Sequence, residues 1–144
     1  HFGLWPTLFR LTMQRPLVLL KVMGQLRLYP VVETPKAARW SMFSKDMPEE
    51  QVVKYQSKLN DESFRMFMDL LGLNLANPKK VKTPLLILGA EHDNAISADQ
   101  VHATARAYGV KAEIFPNMAH DMMLESNWRS VAERILNWFK KKGI

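Results

Sequence analysis

The sequence predicts an α/β fold, with a helical layer over residues 1–77 and then a strand, helix, strand and helix of a parallel sheet over residues 78–144. Three observations carry that expectation. Before Asn77-Pro78, apolar residues recur at three- and four-residue spacing between prolines, as in helices with one buried face. After Pro78, the run Leu85-Leu86-Ile87-Leu88 is continuous and closes on Gly89, as expected of a strand covered on both faces. A capping box at Ser97-Ala98-Asp99-Gln100 then opens a helix ahead of a second apolar run, the alternation that builds a parallel crossover.

The opening stretch, Leu4 to Tyr29, is apolar but broken by Pro6 and Pro16 and interrupted by Arg10, Arg15, Lys21 and Arg27. A spanning helix needs about 20 predominantly apolar residues, so this is no membrane span, and charges inside the stretch exclude a signal peptide. It holds four basic residues and no acid before Glu33, beside Trp5, Leu8, Phe9 and Leu11. Packing against its own protein is the expected use, and residues 4–28 also suit a weak contact with a membrane surface.

Thr34-Pro35 reads as a helix start, cap then first turn, with Ala37, Ala38, Trp40, Met42 and Phe43 following. Asp46-Met47-Pro48-Glu49 has capping-box form and predicts a second helix through Val52, Val53, Tyr55 and Leu59. Asn60 or Asp61 opens a third, carrying Phe64, Phe67, Met68 and Leu71 and ended by Gly72. In the second half, the helix opened at Ser97 runs to about Tyr108-Gly109, and Lys111 to Phe115 reads as a strand closed by Pro116. A final helix starts near Ser126 or Asn127 and carries Trp128, Val131, Ile135, Leu136, Trp138 and Phe139.

Two parallel strands alone would leave unpaired edges and an uncovered face. The rest of the sheet is therefore expected from sequence upstream of His1 or from another chain, and a first residue other than Met fits a fragment.

Composition narrows the function classes. At 144 residues, 47% hydrophobic and 24% charged, the chain has material for one core and is not a disordered composition. Its lack of cysteine removes disulfides, zinc ribbons and thiol nucleophiles, and points to a reducing compartment, the cytoplasm. The net charge of +6 is evenly spread, with ten basic and seven acidic side chains on each side of Pro78, so no basic module for nucleic acid is expected. Lys140, Lys141 and Lys142 stand where the dipole of a closing helix favours cations.

Ligands in parallel sheets sit at the carboxyl ends of the strands. The first strand delivers Glu91-His92-Asp93 there and the second delivers Asn117-Met118-Ala119-His120-Asp121, on the same edge. Asp93 and His120 are thus expected neighbours, an acid that orients a histidine acting as a base. Glu91 is the rival acid, while His92 and His102 read as solvent-facing or packing residues. A metal held by His92, Asp93 and His120 is not expected, since the close histidine pair of a helical site is missing, and acid–base work by Asp93 and His120 calls for no organic cofactor. Met118, Met122 and Met123 are expected to pack beside the site.

The stretch from Thr83 to Asn94, followed by Ile114-Phe115-Pro116-Asn117-Met118-Ala119-His120-Asp121-Met122-Met123, resembles the last two strands of an α/β-hydrolase. The resemblance covers about Thr83 to Phe139, and residues 1–77 resemble the helical cap of such enzymes. It implies the C-terminal portion of an α/β-hydrolase, with Asp93 as triad acid and His120 as general base. It also implies a substrate that is a carboxylic ester or similar acyl compound with an apolar part. The family's Gly-x-Ser-x-Gly elbow is missing: no pair of glycines here frames a serine, and Ser41, Ser44, Ser57 and Ser63 fall in the helical layer. The nucleophile is therefore expected in a missing N-terminal part, and this chain alone is expected to be inactive. Two alternatives stand beside this. One is an epoxide hydrolase or haloalkane dehalogenase with an aspartate nucleophile, in which Tyr29 or Tyr55 could act as acid. The other is a non-catalytic lipid- or protein-binding module.

Overall fold

The computed structural model describes residues 3–143; His1, Phe2 and Ile144 lie outside them. Among the described residues there are seven α-helices and only two strands of four residues each. The expected α/β sheet is therefore not what forms. The molecule is mostly helical, with a two-stranded parallel ribbon. The two strands pair only with each other, and no third strand among the described residues joins them. Of Leu85 to Leu88 only Ile87 and Leu88 enter a strand, and both are half-buried rather than covered on both faces.

α1 (Trp5–Gln14) and α2 (Pro16–Gln25) are separated at Arg15, which the following proline keeps out of helical geometry (φ −142°, ψ 53°). Their outer side leaves Trp5, Phe9, Met13, Leu17 and Leu20 exposed. The four cations of this hairpin turn toward the protein. Lys21 pairs with Glu33 at 3.1 Å, Arg27 with Asp61 at 2.6 Å, Arg10 donates to the Asn94 carbonyl at 2.6 Å, and Arg15 lies over the Trp40 ring. No helix among the described residues is long and apolar enough to cross a membrane.

A short 3-10 turn (Tyr29–Val31) leads to α3 (Pro35–Met42), where the Thr34 side chain accepts from the Ala37 amide at 3.2 Å. α4 (Glu49–Gln56) has Pro48 at its cap with no side-chain bond, so the box read at Asp46 does not form. Glu49 pairs instead with Arg39 at 2.7 Å. α5 (Phe64–Met68) is capped by Ser63, not by Asn60 or Asp61. Asp61 is engaged elsewhere, accepting from the Leu28 and Tyr29 amides at 3.1 and 2.9 Å as well as from Arg27, which fixes the exit from α2. A π-type turn (Asp69–Leu73) follows and is broken by Gly72 at φ 132°, a backbone state that favours glycine.

After a 3-10 turn at Pro78–Lys80, β1 (Ile87–Ala90) pairs parallel with β2 (Ala112–Phe115), Ile87 opposite Ala112 and Ala90 opposite Phe115. α6 (Ala98–Ala107) lies between them in sequence, with the capping box of Ser97 and Gln100 formed in both directions. α7 (Trp128–Lys142) closes the chain, its last turn carrying the three lysines and Gly143 following in left-handed geometry. Gly89 marks where α6 meets β1. A Cβ there would lie 2.7 and 3.0 Å from the two Val101 methyls and 3.1 Å from Ile114 Cδ1. Val101 is buried and stiff at χ1, so Gly89→Ala is expected to lower stability by about 1–3 kcal/mol. The measure is a lower urea midpoint at unchanged slope; an unchanged midpoint would show that helix and strand are not in such tight contact.

Two apolar clusters result. Val32, Ala38, Phe43, Met47 and Val52 form the core of the helical layer, with Leu124 packed against it from the second half. Ala90, Met118 and Val131 form the other, under α7. The loop after β2 contributes to both, Met118 and Met122 to the second and Leu124 to the first.

Candidate active site

The loop after β1 is tied first to the loop after β2. The Glu91 amide donates to the Phe115 carbonyl at 3.0 Å and the His92 amide to the Met118 carbonyl at 2.8 Å, extending the pairing past both strand ends. Asn117 turns the second loop with φ 55°, a state that asparagine tolerates. Its amide donates to the Glu91 carboxylate at 3.0 Å. Glu91, the rival acid, thus holds a turn and makes no bond to His120.

Asp93 meets His120. Its Oδ2 lies 2.9 Å from His120 Nδ1, across 27 positions of sequence. Its Oδ1 accepts from the Ala95 and Ile96 amides at 2.7 and 2.8 Å, a local turn that sets the carboxylate's orientation. The Asp93 side chain is 7% exposed and that of His120 32%. A carboxylate only accepts, so Nδ1 carries the proton and Nε2 is left as the basic nitrogen. Nε2 makes no hydrogen bond among the described residues. The hydrogen bond that His120 donates to Asp93 raises the His120 pKa above its usual value; burial opposes this, and the charges of Asp93 and Asp121 add to it. Burial pushes the Asp121 carboxyl up.

The helical layer grips both loops. Asn94 Nδ2 donates to the Trp40 carbonyl at 2.8 Å, and the Asp121 amide to the Met42 carbonyl at 2.9 Å. Glu125, 2% exposed, makes the strongest tie. One of its oxygens accepts from the Ser44 amide at 2.7 Å and the Ala119 amide at 3.2 Å, and the other accepts from the Ser44 hydroxyl at 2.7 Å. Nothing in the sequence singles out Glu125, which is one acid in a loop with no pattern around it. Its only signal is a glutamate just past the Met122-Met123-Leu124 run, beside the segment that carries His120.

The remaining expected site residues have other surroundings. Met118 and Met122 pack in the cluster under α7, whereas Met123 is exposed. His102 is exposed on α6, and exposed His92 lies 3.8 Å from Glu91. Tyr29 and Tyr55 pack against the core of the helical layer, Tyr55 with its ring 6.0 Å from that of Phe43. Ser41 donates to backbone carbonyls of α3 and its approach, Ser44 to Glu125, and Ser57 to the Lys54 carbonyl, while Ser63 caps α5. No described serine bonds to His120. No cluster of three or more His, Asp or Glu among the described residues is arranged to hold a metal. A cleft of about 450 Å³ opens beside the acid loop, touching His92 and Asn94 on either side of Asp93 but neither Asp93 nor His120.

No protein-family model, curated protein or solved structure matches this chain.

Proposed function

We propose that this chain supplies the acid and the general base of a cytoplasmic hydrolase of the serine esterase or lipase type, acting on carboxylic esters or similar acyl compounds with an apolar part. The observation that carries the reading is the 2.9 Å bond from His120 Nδ1 to a buried Asp93, with Nε2 of the same ring unbonded. The likeness of the two loops to the acid and histidine loops of α/β-hydrolases supports it, as a likeness of loops and not of fold. The cysteine-free composition supports the compartment.

In this reading Nε2 takes the proton of a serine hydroxyl as its oxygen attacks the ester carbonyl, and Asp93 stabilises the imidazolium that forms. The proton then passes to the leaving alcohol as the C–O bond breaks. Nε2 next takes a proton from water, whose oxygen attacks the acyl-serine, and returns it to the departing serine oxygen. The serine comes from outside residues 1–144, preceding them in the protein.

The test is hydrolysis of p-nitrophenyl butyrate by the protein expressed from its whole reading frame. His120→Ala is expected to lower kcat about a millionfold while circular dichroism shows the fold retained. Turnover that survives the substitution removes His120 from the mechanism, and a wild-type protein without ester hydrolysis defeats the reading itself.

A further inference from the structure

The cleft beside the acid loop carries an excess of positive charge. Arg15, Lys36, Arg39 and Lys45 reach it and no carboxylate does. Of these, only Arg39 is paired: it reaches Glu49 at 2.7 Å, and its other nitrogen donates to the Ser44 and Lys45 carbonyls, shaping the turn that carries Lys45. Arg15, Lys36 and Lys45 form no ion pair among the described residues. Lys36 also stands in the first turn of α3, where the helix dipole disfavours a cation and no acid offsets it. The wall between these charges is aromatic, with Trp40 half-buried under Arg15 at 5.1 Å and Phe43 buried behind it. The side chains of Lys36 and Lys45 have no ion-pair partner among the described residues, whereas a bound oxyanion on an apolar body would meet both the cations and the apolar wall at once.

We propose that this cleft binds a small amphiphilic anion. Its oxyanion group, a carboxylate or phosphate monoester, sits among Arg15, Lys36 and Lys45, and its apolar body lies against Trp40. The proposal goes beyond the hydrolytic reading and does not depend on it, because binding here uses neither Asp93 nor His120 and needs no turnover.

The experiment is calorimetric titration of the full chain with 1-naphthyl phosphate at low ionic strength, repeated with 1-naphthoate, 1-naphthol and inorganic phosphate. The comparison protein is Lys36→Glu with Lys45→Glu; both side chains are exposed, and circular dichroism checks that its fold is kept. The expected result is saturable one-to-one binding of an aryl anion, at least tenfold weaker in the double variant and weaker again with added salt. Whichever of 1-naphthyl phosphate and 1-naphthoate binds more tightly identifies the oxyanion. Equal binding by the double variant, 1-naphthol binding as tightly as the anions, or no saturable binding would overturn the proposal. So would inorganic phosphate binding as tightly as the aryl anions, which marks an adventitious ion only.

Discussion

Replacing Glu125 with alanine is expected to remove about 2–4 kcal/mol of stability, a large share of the 5–15 kcal/mol by which a typical domain is folded. The reason is the number of donors that depend on one side chain. The Ser44 amide and hydroxyl and the Ala119 amide all end on this carboxylate, in a place where Ser44 and Ala119 are themselves almost wholly buried. Truncation deletes three hydrogen bonds and strands their donors away from water, the costly side of hydrogen-bond energetics. Glu125→Gln keeps the shape but turns an amide NH2 toward donors, so its loss is expected to be intermediate. Urea unfolding of the three proteins checks this, and an alanine variant within about 0.5 kcal/mol of wild type, the range of an ordinary surface substitution, would mean the tie is not what holds helical layer and loops together.

The second large effect concerns protons. His120 is expected to titrate above the usual histidine value of about 6.5, because the Asp93 hydrogen bond favours its charged form more than burial disfavours it. In Asp93→Asn, Oδ1 keeps the Ala95 and Ile96 amides, so the new NH2 faces His120 Nδ1 and the proton moves to Nε2. The histidine pKa is then expected to fall and, on the proposed hydrolytic reading, ester hydrolysis with it by about 10⁴-fold, the loss typical when a triad histidine is held in the wrong tautomer. Imidazole NMR against pH reads the first and p-nitrophenyl butyrate turnover the second; an unmoved titration midpoint would remove Asp93 as the cause of the shift.

The same shifts set the sign of stability against pH. His120 has a raised folded pKa, so its contribution is complete below about 6.5 and is lost as pH rises through the folded value. Asp121 is also raised, by burial, so the protonated form is favoured and the fold loses stability as pH climbs from about 3.8 through the folded value. Both groups make the protein less stable as pH rises, beginning from about 3.8 for Asp121 and from about 6.5 for His120.

What is legible in the sequence is local. Thr34 caps α3 and the Ser97 box caps α6 because such motifs act within four residues. The neighbourhood of Asp93 and His120 is also readable, since both follow apolar runs that end in turns, and those runs pair side by side. Wherever a polar residue has a distant partner, local pattern misleads. Asp46 and Asp61 look like caps, yet Asp46 stands too early for α4 and Asp61 serves the turn at Leu28 and Tyr29. Glu125 and Ser44 carry no local mark at all, being 81 positions apart. The fold class fails for a related reason. A run of four apolar residues looks the same in a broad sheet as in a two-stranded ribbon, and only neighbours far away in sequence tell them apart.

That 81-residue span also orders events in time. Chain closure becomes more expensive with the logarithm of loop length. Joining Ser44 to Glu125 costs about 1 kcal/mol more entropy than bringing Asp93 to His120 across 27 positions. On that ground the short loop is expected to close first and the helical layer to latch onto it afterwards. A tie made after the rate-limiting barrier does not change how fast the chain folds, only how long it stays folded. In the Glu125→Ala protein the loss should accordingly appear as faster unfolding with nearly unchanged refolding, so that the lifetime of the assembled site is set by one buried carboxylate.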